Sequence, residues 1–566
     1  MAERPKAWVP LVTACRSVVL MDSMKARSGV APLRSSDALA EVYLQMQPGE
    51  TRILRAYAEK AIAGPAWPVR QFTGEAIPVD GTWQVQFIEG GPALPMNHRC
   101  TVPQPRSPYS AHRRNSTMNN PSIQRAFFRG TVNRRQLLHT GVTVGAAAVA
   151  APTLLPTSAR GANDRIVLGA IGVGNQGRHN VGKLRGSCDV AAIADVYLPR
   201  AESYAKKVGA QHAYQDYRQL LEQDDIDAVT VCTPHHWHAL CCIHAAQAGK
   251  DIYCEKPLTY SILEGRRIVE AVRKYKRVLQ TGTQQRSGGN EYRGIMHVRN
   301  GSIGKVTRVL ASNFCSPMLP KWPGQDVPKG LDWDMWCGPA EPPPYNFVIW
   351  DNRSNPSWVS IHPFSGGNMT DRGGHGLDVA QWGLGMDDSG PEEVWVEGEP
   401  FESVHSTPEN PGGRQRGPNS PKVYMKFPGG AVLELGGGPS WSGVRFVGEK
   451  GSITVTRGRS SSDPGDLIAE EVKDPKVELT RSPGHHRDWL ECIKERRDPV
   501  AHAEVGHRSA TICHLANIAR WVSEVTGETG KRLKWDARQE RFTNSPEGNR
   551  FLDRPRRKGY ELPEQV

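Results

Sequence analysis

The feature that most constrains this chain is Gly172-Val173-Gly174-Asn175-Gln176-Gly177, set between the apolar run Arg165–Ile171 and a segment of helical character. Glycines spaced G-x-G-x-x-G after a strand and before a helix are the fingerprint of a dinucleotide-binding βαβ unit. The first glycine permits a tight turn, the second lets the backbone approach a pyrophosphate, and the third allows close helix–strand packing. The new helix then presents its free N–H groups to the phosphates. Gly172, Gly174 and Gly177, with Asn175 and Gln176 between them, are therefore expected to hold the cofactor. Eighteen residues after Gly177 a second apolar run, Val190–Ala194, ends in Asp195. A carboxylate there accepts hydrogen bonds from an adenosine ribose and favours NAD over NADP.

The alternation continues beyond Asp195. Ala228–Cys232 reads as a buried strand, Ala239–Ala248 as a helix and Asp251–Cys254 as a strand. Ser261-Ile262-Leu263-Glu264 is a capping box for a helix reaching Lys274, and Val278–Gly282 is a further strand. Short apolar strands alternating with helices predict an α/β domain with a parallel sheet covered on both faces, here residues 163–286.

Length and charge bound the remainder. A chain of 566 residues, 38% of them hydrophobic, predicts two or three domains. Of the net charge of +12, residues 1–163 carry ten, and the rest holds 52 basic against 50 acidic residues. Such a neutral body lacks the basic stripe that phosphate backbones require, so no nucleic-acid partner is expected. No apolar run reaches the roughly 18 residues of a membrane span. Nine of the eleven cysteines follow residue 163, none in a C-x-x-C pair, and are read as small core residues.

Residues 118–162 read as a twin-arginine export signal. Arg134-Arg135 precede the weakly apolar run Gly141–Ala151 and the small residues Thr157–Ala159, with five arginines and no acid in the segment. The expected compartment is the periplasm. Residues 1–117 carry no usable motif, and Met118 lies sixteen residues before the twin arginines. The expectation is that translation begins at Met118 and that the extension is an artefact of the gene model.

Two turns at strand ends carry chemistry: Thr233-Pro234-His235-His236-Trp237-His238 and Glu255-Lys256-Pro257. Ligands of open α/β sheets bind beyond the carboxyl ends of the strands, which places both turns at the cofactor crevice. A third segment reads Gly366-Gly367-Asn368-Met369-Thr370-Asp371-Arg372-Gly373-Gly374-His375-Gly376-Leu377-Asp378. Together with the glycine turn, these resemble the glucose–fructose oxidoreductase / inositol dehydrogenase / MocA (Gfo/Idh/MocA) family over about residues 160–540. The resemblance implies a second α/β domain, 287–540, with a large, mostly antiparallel sheet, followed by a tail, 541–566. Strand-like runs at Glu393–Val396, Lys422–Lys426, Val432–Leu435, Val444–Val447 and Ser452–Val455 agree with that.

The resemblance also implies roles. Lys256 matches the family's catalytic lysine, and His375 and Asp371 its proton-transferring and substrate-orienting pair. Thr233, Pro234, His238, Glu255 and Lys256 join the glycines and Asp195 around NAD(H). Arg286, Trp336 and Arg372 are weaker substrate candidates. Two departures, His235 where relatives often carry aspartate and Arg372 where an aromatic or aliphatic residue is common, are expected to lie outside the reactive trio.

Other clusters have blander readings. His235, His236, His238 and His244 lack companion ligands at metal spacing and read as cofactor contact or packing, so no metal is expected. His485–Trp489 reads as a structural helix start with substrate contact open to it. Trp322, Trp333, Trp336, Trp350 and Trp358 crowd residues 320–360. They read equally as sugar-stacking surfaces or as a satellite core or oligomer contact. The expected protein is an exported, oligomeric, NAD(H)-dependent dehydrogenase of a sugar, polyol or glycoside, its cofactor loaded before export and tightly held. A redox-neutral NAD-dependent glycoside hydrolase and a non-catalytic sugar-binding protein on the same fold are the alternatives.

Overall fold

The computed structural model describes residues 165–351, 356–411, 421–440 and 442–563, together with the backbone of six strands between residues 6 and 57. The chain divides into two compact units, Met1–Pro152 and Thr153–Val566. In the first, two three-stranded antiparallel sheets are described. One orders Lys6–Leu11, Leu39–Gln45 and Leu33–Ser36, the other Arg27–Val30, Ser17–Asp22 and Ile53–Tyr57. The segment read as an export signal, 118–162, lies outside the described residues.

The second unit opens with the expected alternation: β1 (Ile166–Ile171), α1 (Asn175–Leu184), β2 (Cys188–Ala194), α2 (Leu198–Val208) and β3 (His212–Tyr214). It continues through α3 (Tyr217–Leu221), β4 (Ala228–Val231), α4 (His238–Gln247), β5 (Asp251–Cys254), α5 (Ile262–Lys274) and β6 (Leu279–Thr281). The six strands are parallel in the order β6-β5-β4-β1-β2-β3. The order reverses direction between β1 and β4, and that switch point opens a crevice at the strands' carboxyl ends. β4 and β5 are buried at every position because helices cover both faces.

The cap of α5 differs from the expected box. Ser261 Oγ accepts from the Glu264 amide at 3.4 Å, but the Glu264 carboxylate accepts from the Tyr260 amide instead of that of Ser261. Glu264 is fully buried, and Arg554 and Arg556 supply the cations its charge needs there.

The second domain is built on α6 (Gly289–Arg299) and a nine-stranded sheet. Its strands are β7 (Val306–Ala311), β8 (Glu393–Glu397), β9 (Lys422–Lys426), β10 (Val432–Leu435), β11 (Val444–Gly448), β12 (Gly451–Thr456), β13 (Arg459–Asp463), β14 (Leu533–Asp536) and β15 (Arg541–Phe542). The order is β13-β12-β11-β7-β10-β9-β8-β14-β15, antiparallel except for the β7–β10 pair. Between β7 and β8 lie α7 (Trp333–Cys337), α8 (Phe347–Trp350), α9 (Gly367–Asp371) and α10 (Gly373–Leu384). Two helices, α11 (His485–Glu495) and α12 (Ala503–Thr526), follow β13. Alternate residues of the central strands, among them Val309, Val423, Met425, Leu433, Leu435 and Phe446, point into one core with α10 and α12.

Helix α12 packs against α10 on one side and against α5 of the first domain on another. That two-sided burial explains why its 24 residues are buried almost all round and show no amphipathic stripe. The domain junction is ionic. Glu504 of α12 meets Arg266 and Arg273 of α5 at 2.8 and 2.9 Å, and Glu540 meets Arg266 at 2.6 Å. The segment from 541 is part of this fold. β15 pairs with β14, Arg554 donates to the His236 carbonyl, and Arg557 pairs with Asp334.

Candidate active site

One cavity of about 980 Å³ runs along the crevice. At its base Gly172 has φ +79°, and a Cβ there would meet the Cys232 carbonyl oxygen at 2.8 Å. A Cβ on Gly177 would lie 2.0 Å from the Gly172 carbonyl oxygen, so α1 can approach this closely only with glycine. Gly174 faces open space, with no atom within 4 Å of where its Cβ would stand. Helix α1 starts there with no side-chain cap and no acid in its first turn. Its positive end thus meets no competing carboxylate, as a pyrophosphate site requires. The residues present fit a dinucleotide.

Asp195, at the end of β2, lines the cavity and is nearly buried. Its Oδ2 accepts from the Val173 amide at 2.9 Å, and its Oδ1 from the Tyr197 amide and Arg200 Nη2, both at 3.0 Å. The carboxylate is thereby fixed against the glycine turn where the ribose was expected. The strand-end turns are tied together by His238, whose ring nitrogens lie 2.8 Å from the Pro257 carbonyl and 3.0 Å from that of Thr233. Glu255 accepts from Gln176 Nε2 at 3.0 Å and Asn180 Nδ2 at 2.8 Å, anchoring α1 to the end of β5. Thr233, Pro234, His238, Glu255 and Lys256 all line the cavity with Gly172, Gly174, Asn175 and Gln176.

At the far end Lys256 Nζ lies 2.5 Å from Asp371 Oδ1 and 2.9 Å from the Asp371 carbonyl. Asp371 closes α9 and His375 sits in the first turn of α10, the two helices being separated by the single residue Arg372. Both reach the same cavity wall, as their four-residue spacing predicts. Burial pushes the Asp371 carboxyl up, and the adjacent Lys256 ammonium more than offsets this, leaving it below its ordinary value. Burial, then the charges of Lys256 and Arg457, hold the His375 imidazole well below its usual pKa, so the ring is neutral at pH 7. Arg457, in the turn between β12 and β13, places Nη2 3.3 Å from His375 Nδ1. Arginine only donates, so the lone pair of the neutral ring is on Nδ1 and the proton on Nε2.

Three sequence expectations are corrected here. Arg286 does not reach the cavity. Its side chain is 2% exposed and spans Asp378 at 2.8 Å and Asp387 at 2.7 Å, an internal ion triad. Arg372 lies between α9 and α10 and is absent from the cavity wall. His235 does touch the reactive trio: its Nε2 lies 3.9 Å from Asp371 Oδ1, its Nδ1 3.0 Å from Ser365 Oγ, and Trp358 meets its ring edge-on at 4.9 Å.

Trp336 does line the cavity, though it is largely buried in a stack with Trp333 at 4.6 Å. The tryptophan cluster divides. Trp322 and Trp333 belong to a satellite core with Ile349, Ile361 and Phe364, while Trp336, Trp350 and Trp358 also face the cavity. His236 and His244 are packing residues, bound to the Trp336 carbonyl and the Tyr217 hydroxyl.

The sequence does not single out Arg457, and His485 and His486 read there as a helix start. All three line the cavity. His486 stacks on Tyr253 at 5.3 Å, and Ser287 holds His485 Nδ1 at 3.1 Å. The His-His pair before an amphipathic helix was a visible signal. Arg457 had none, because a turn residue far along the chain is brought in only by the sheet order.

Among the described residues, Glu504, His507 and Glu540 offer ligand atoms within 4.8 Å of one another. Arg266, Arg273 and Arg508 already engage both carboxylates, so the group serves the domain junction. The nine cysteines of the second unit are free thiols, seven of them buried. No helix of the described residues is long and apolar enough to cross a membrane.

Comparison with known proteins agrees with this architecture. A family described as "Oxidoreductase family, NAD-binding Rossmann fold" matches residues 166–283, and its companion "C-terminal alpha/beta domain" matches residues 318–562. The first 156-residue match is to a myo-inositol 2-dehydrogenase of Thermotoga maritima, 33% identical, covering 27% of this chain and 47% of that protein. A levoglucosan dehydrogenase of Pseudarthrobacter phenanthrenivorans is 31% identical over 141 residues, 25% of this chain and 35% of its own. The chain thus spans less than half the length of these curated relatives. Among solved structures, an aldose–aldose oxidoreductase from Caulobacter crescentus aligns with a TM-score of 0.44 at 19% identity, covering 65% of this chain and 99% of that one. With both family domains present in order and the cavity built from their shared crevice, the chain belongs to the Gfo/Idh/MocA oxidoreductase family.

Proposed function

We propose that this protein is an NAD(H)-dependent dehydrogenase acting on a hydroxyl of a sugar, polyol or glycoside. The observation that carries the reading is the continuity of one cavity from the glycine turn and Asp195 to Lys256, Asp371 and His375. The inositol and levoglucosan dehydrogenases among the relatives support the substrate class.

When bound, nicotinamide supplies the hydride acceptor. The protein supplies the rest. Gly172, Gly174 and Gly177 open the backbone to the pyrophosphate, and Asp195 receives the ribose hydroxyls. The neutral His375 takes the hydroxyl proton on Nδ1 once substrate enters between that nitrogen and Arg457, whose guanidinium then faces the developing alkoxide. Lys256, held by Asp371, donates to the same oxygen. Trp358, beside His235 and Asp371, offers an apolar face to the C–H side of a sugar ring. The test is formation of reduced cofactor from NAD+ across a panel of polyols, aldoses and glycosides. His375→Ala should lower kcat by about 10²–10⁴ with cofactor affinity retained; unaltered turnover in that variant sinks the assignment.

The same reading extends to export by the twin-arginine segment 118–162, a cofactor carried out in the folded protein, and a homo-oligomer. Intact mass of the native product tests the first, and a peptide from residues 1–110 contradicts a start at Met118. Light scattering of the purified protein tests the last, a monomeric mass contradicting it.

A further inference from the structure

Resting on the nicotinamide reading, a second grip on the cofactor follows from the tryptophans that the sequence left as one cluster. We propose that Trp350, carried by the second domain, closes over the adenine of the dinucleotide against Arg200. The cofactor is then held from both domains.

On that reading Asp195 marks the adenosine end of the cavity. Arg200, in the first turn of α2, is pinned to Asp195 Oδ1 at 3.0 Å. Its guanidinium carbon lies 5.6 Å from the Tyr197 ring centre and 5.3 Å from that of Trp350. Tyr197 and Trp350 meet edge to face at 5.6 Å. Asp195, Arg200 and Trp350 all line the one cavity. A purine is a flat ring with two apolar π-faces, and an indole on one side with a guanidinium on the other recognises such a ring. Adenine entering beneath Trp350 exchanges the indole's present contact with Arg200 for a base between the two.

The segment that carries Trp350 is seated on this end of the crevice. Leu331 forms an antiparallel bridge with Tyr197, the Asp332 amide donates to the Val196 carbonyl at 3.0 Å, and the Leu198 amide donates to the Gly330 carbonyl at 3.1 Å. Gln215 Nε2 donates to the Val196 and Gly330 carbonyls, tying the two segments together. Helix α8 is fastened at its start, where Asn346 caps the Val348 amide and donates to the Pro323 carbonyl and Gln325 accepts from the Phe347 amide, and by Ile349, buried in the satellite core. Trp350 is its last residue and lines the cavity with Phe347, which is 48% exposed at the edge. The sugar-stacking alternative suits Trp358 at the Asp371 end and not Trp350 at the Asp195 end.

The test uses the full chain freed of nucleotide, titrated calorimetrically with NAD+, ADP-ribose and nicotinamide mononucleotide. Trp350→Ala should weaken NAD+ and ADP-ribose together by roughly ten- to hundred-fold, the scale of one lost base stack. It should leave nicotinamide mononucleotide unchanged and speed NAD+ release, and Trp350→Phe should recover most of the loss. Arg200→Met, on the opposite side of the ring, should show the same split, and a melting temperature near wild type in each variant guards against a folding defect. A folded Trp350→Ala protein that binds ADP-ribose as wild type overturns the clamp while leaving the nicotinamide reading intact. Wild-type protein that binds none of the three overturns that reading and the clamp with it.

Discussion

His375 is the residue whose environment speaks most directly to chemistry. Burial, Lys256 and Arg457 disfavour its cationic form, and Asp371 opposes them only in part. An oxidation that needs the neutral ring therefore keeps its rate as pH falls below the ordinary histidine value near 6.5, and loses it only well below. Arg457→Met removes one repelling charge, so the imidazole pKa rises and the acid limb of kcat moves to higher pH. A pH–rate profile checks this, and an unmoved limb contradicts the contact with Arg457. Arg286 makes the opposite kind of prediction. Truncating it to alanine strands Asp378, which is already pushed up by burial, at a cost of about 3–5 kcal/mol. Thermal melting should show that loss, with KM unchanged in the protein that remains folded. The sequence could place Arg286 near the crevice but not its partners, because Asp378 and Asp387 come from a helix and loop about a hundred residues away.

At the scale of elements, α5 and α12 are joined by opposite charges across the domain junction. Burial raises the carboxyls of Glu504 and Glu540, and Arg266 with its neighbours pulls each down to about 2, against an ordinary 4.5. Carboxyls depressed in the folded state contribute stability in full above about 4.5 and lose it as pH falls toward 2, on the order of 2–3 kcal/mol for such a shift. Melting temperature should therefore drop through this acid window, and Glu504→Gln should flatten the slope while lowering stability at neutral pH. An identical slope in the variant contradicts the role of the junction. Elements with strong local signals were legible. The strand-like runs Lys422–Lys426 and Val432–Leu435 are strands, and α5 begins at its serine cap. What escaped was set by tertiary context: the partner chosen by Glu264, and the tail from 541, whose hydrogen bonds run to β14 and the first domain instead of to solvent.

Across the whole molecule, the two domains meet so that each supplies one part of a single site. The first contributes the glycine turn, Asp195 and Lys256, and the second contributes Asp371, His375, Arg457 and the tryptophans. Motif spacing could name Lys256, Asp371 and His375 together because the family pattern fixes them in one order along the chain. It could not bring in Arg457 or sort Trp350 from Trp358, since only sheet order and loop path decide which end of the crevice each reaches. The central claim is that this shared cavity holds NAD(H). Its most direct measurement is to purify the full chain without added nucleotide, assay the denatured protein for released nicotinamide dinucleotide, and titrate the remainder with NAD+. The account predicts near one equivalent of NAD(H), released or taken up, per chain. A protein that neither carries nor binds the dinucleotide contradicts it.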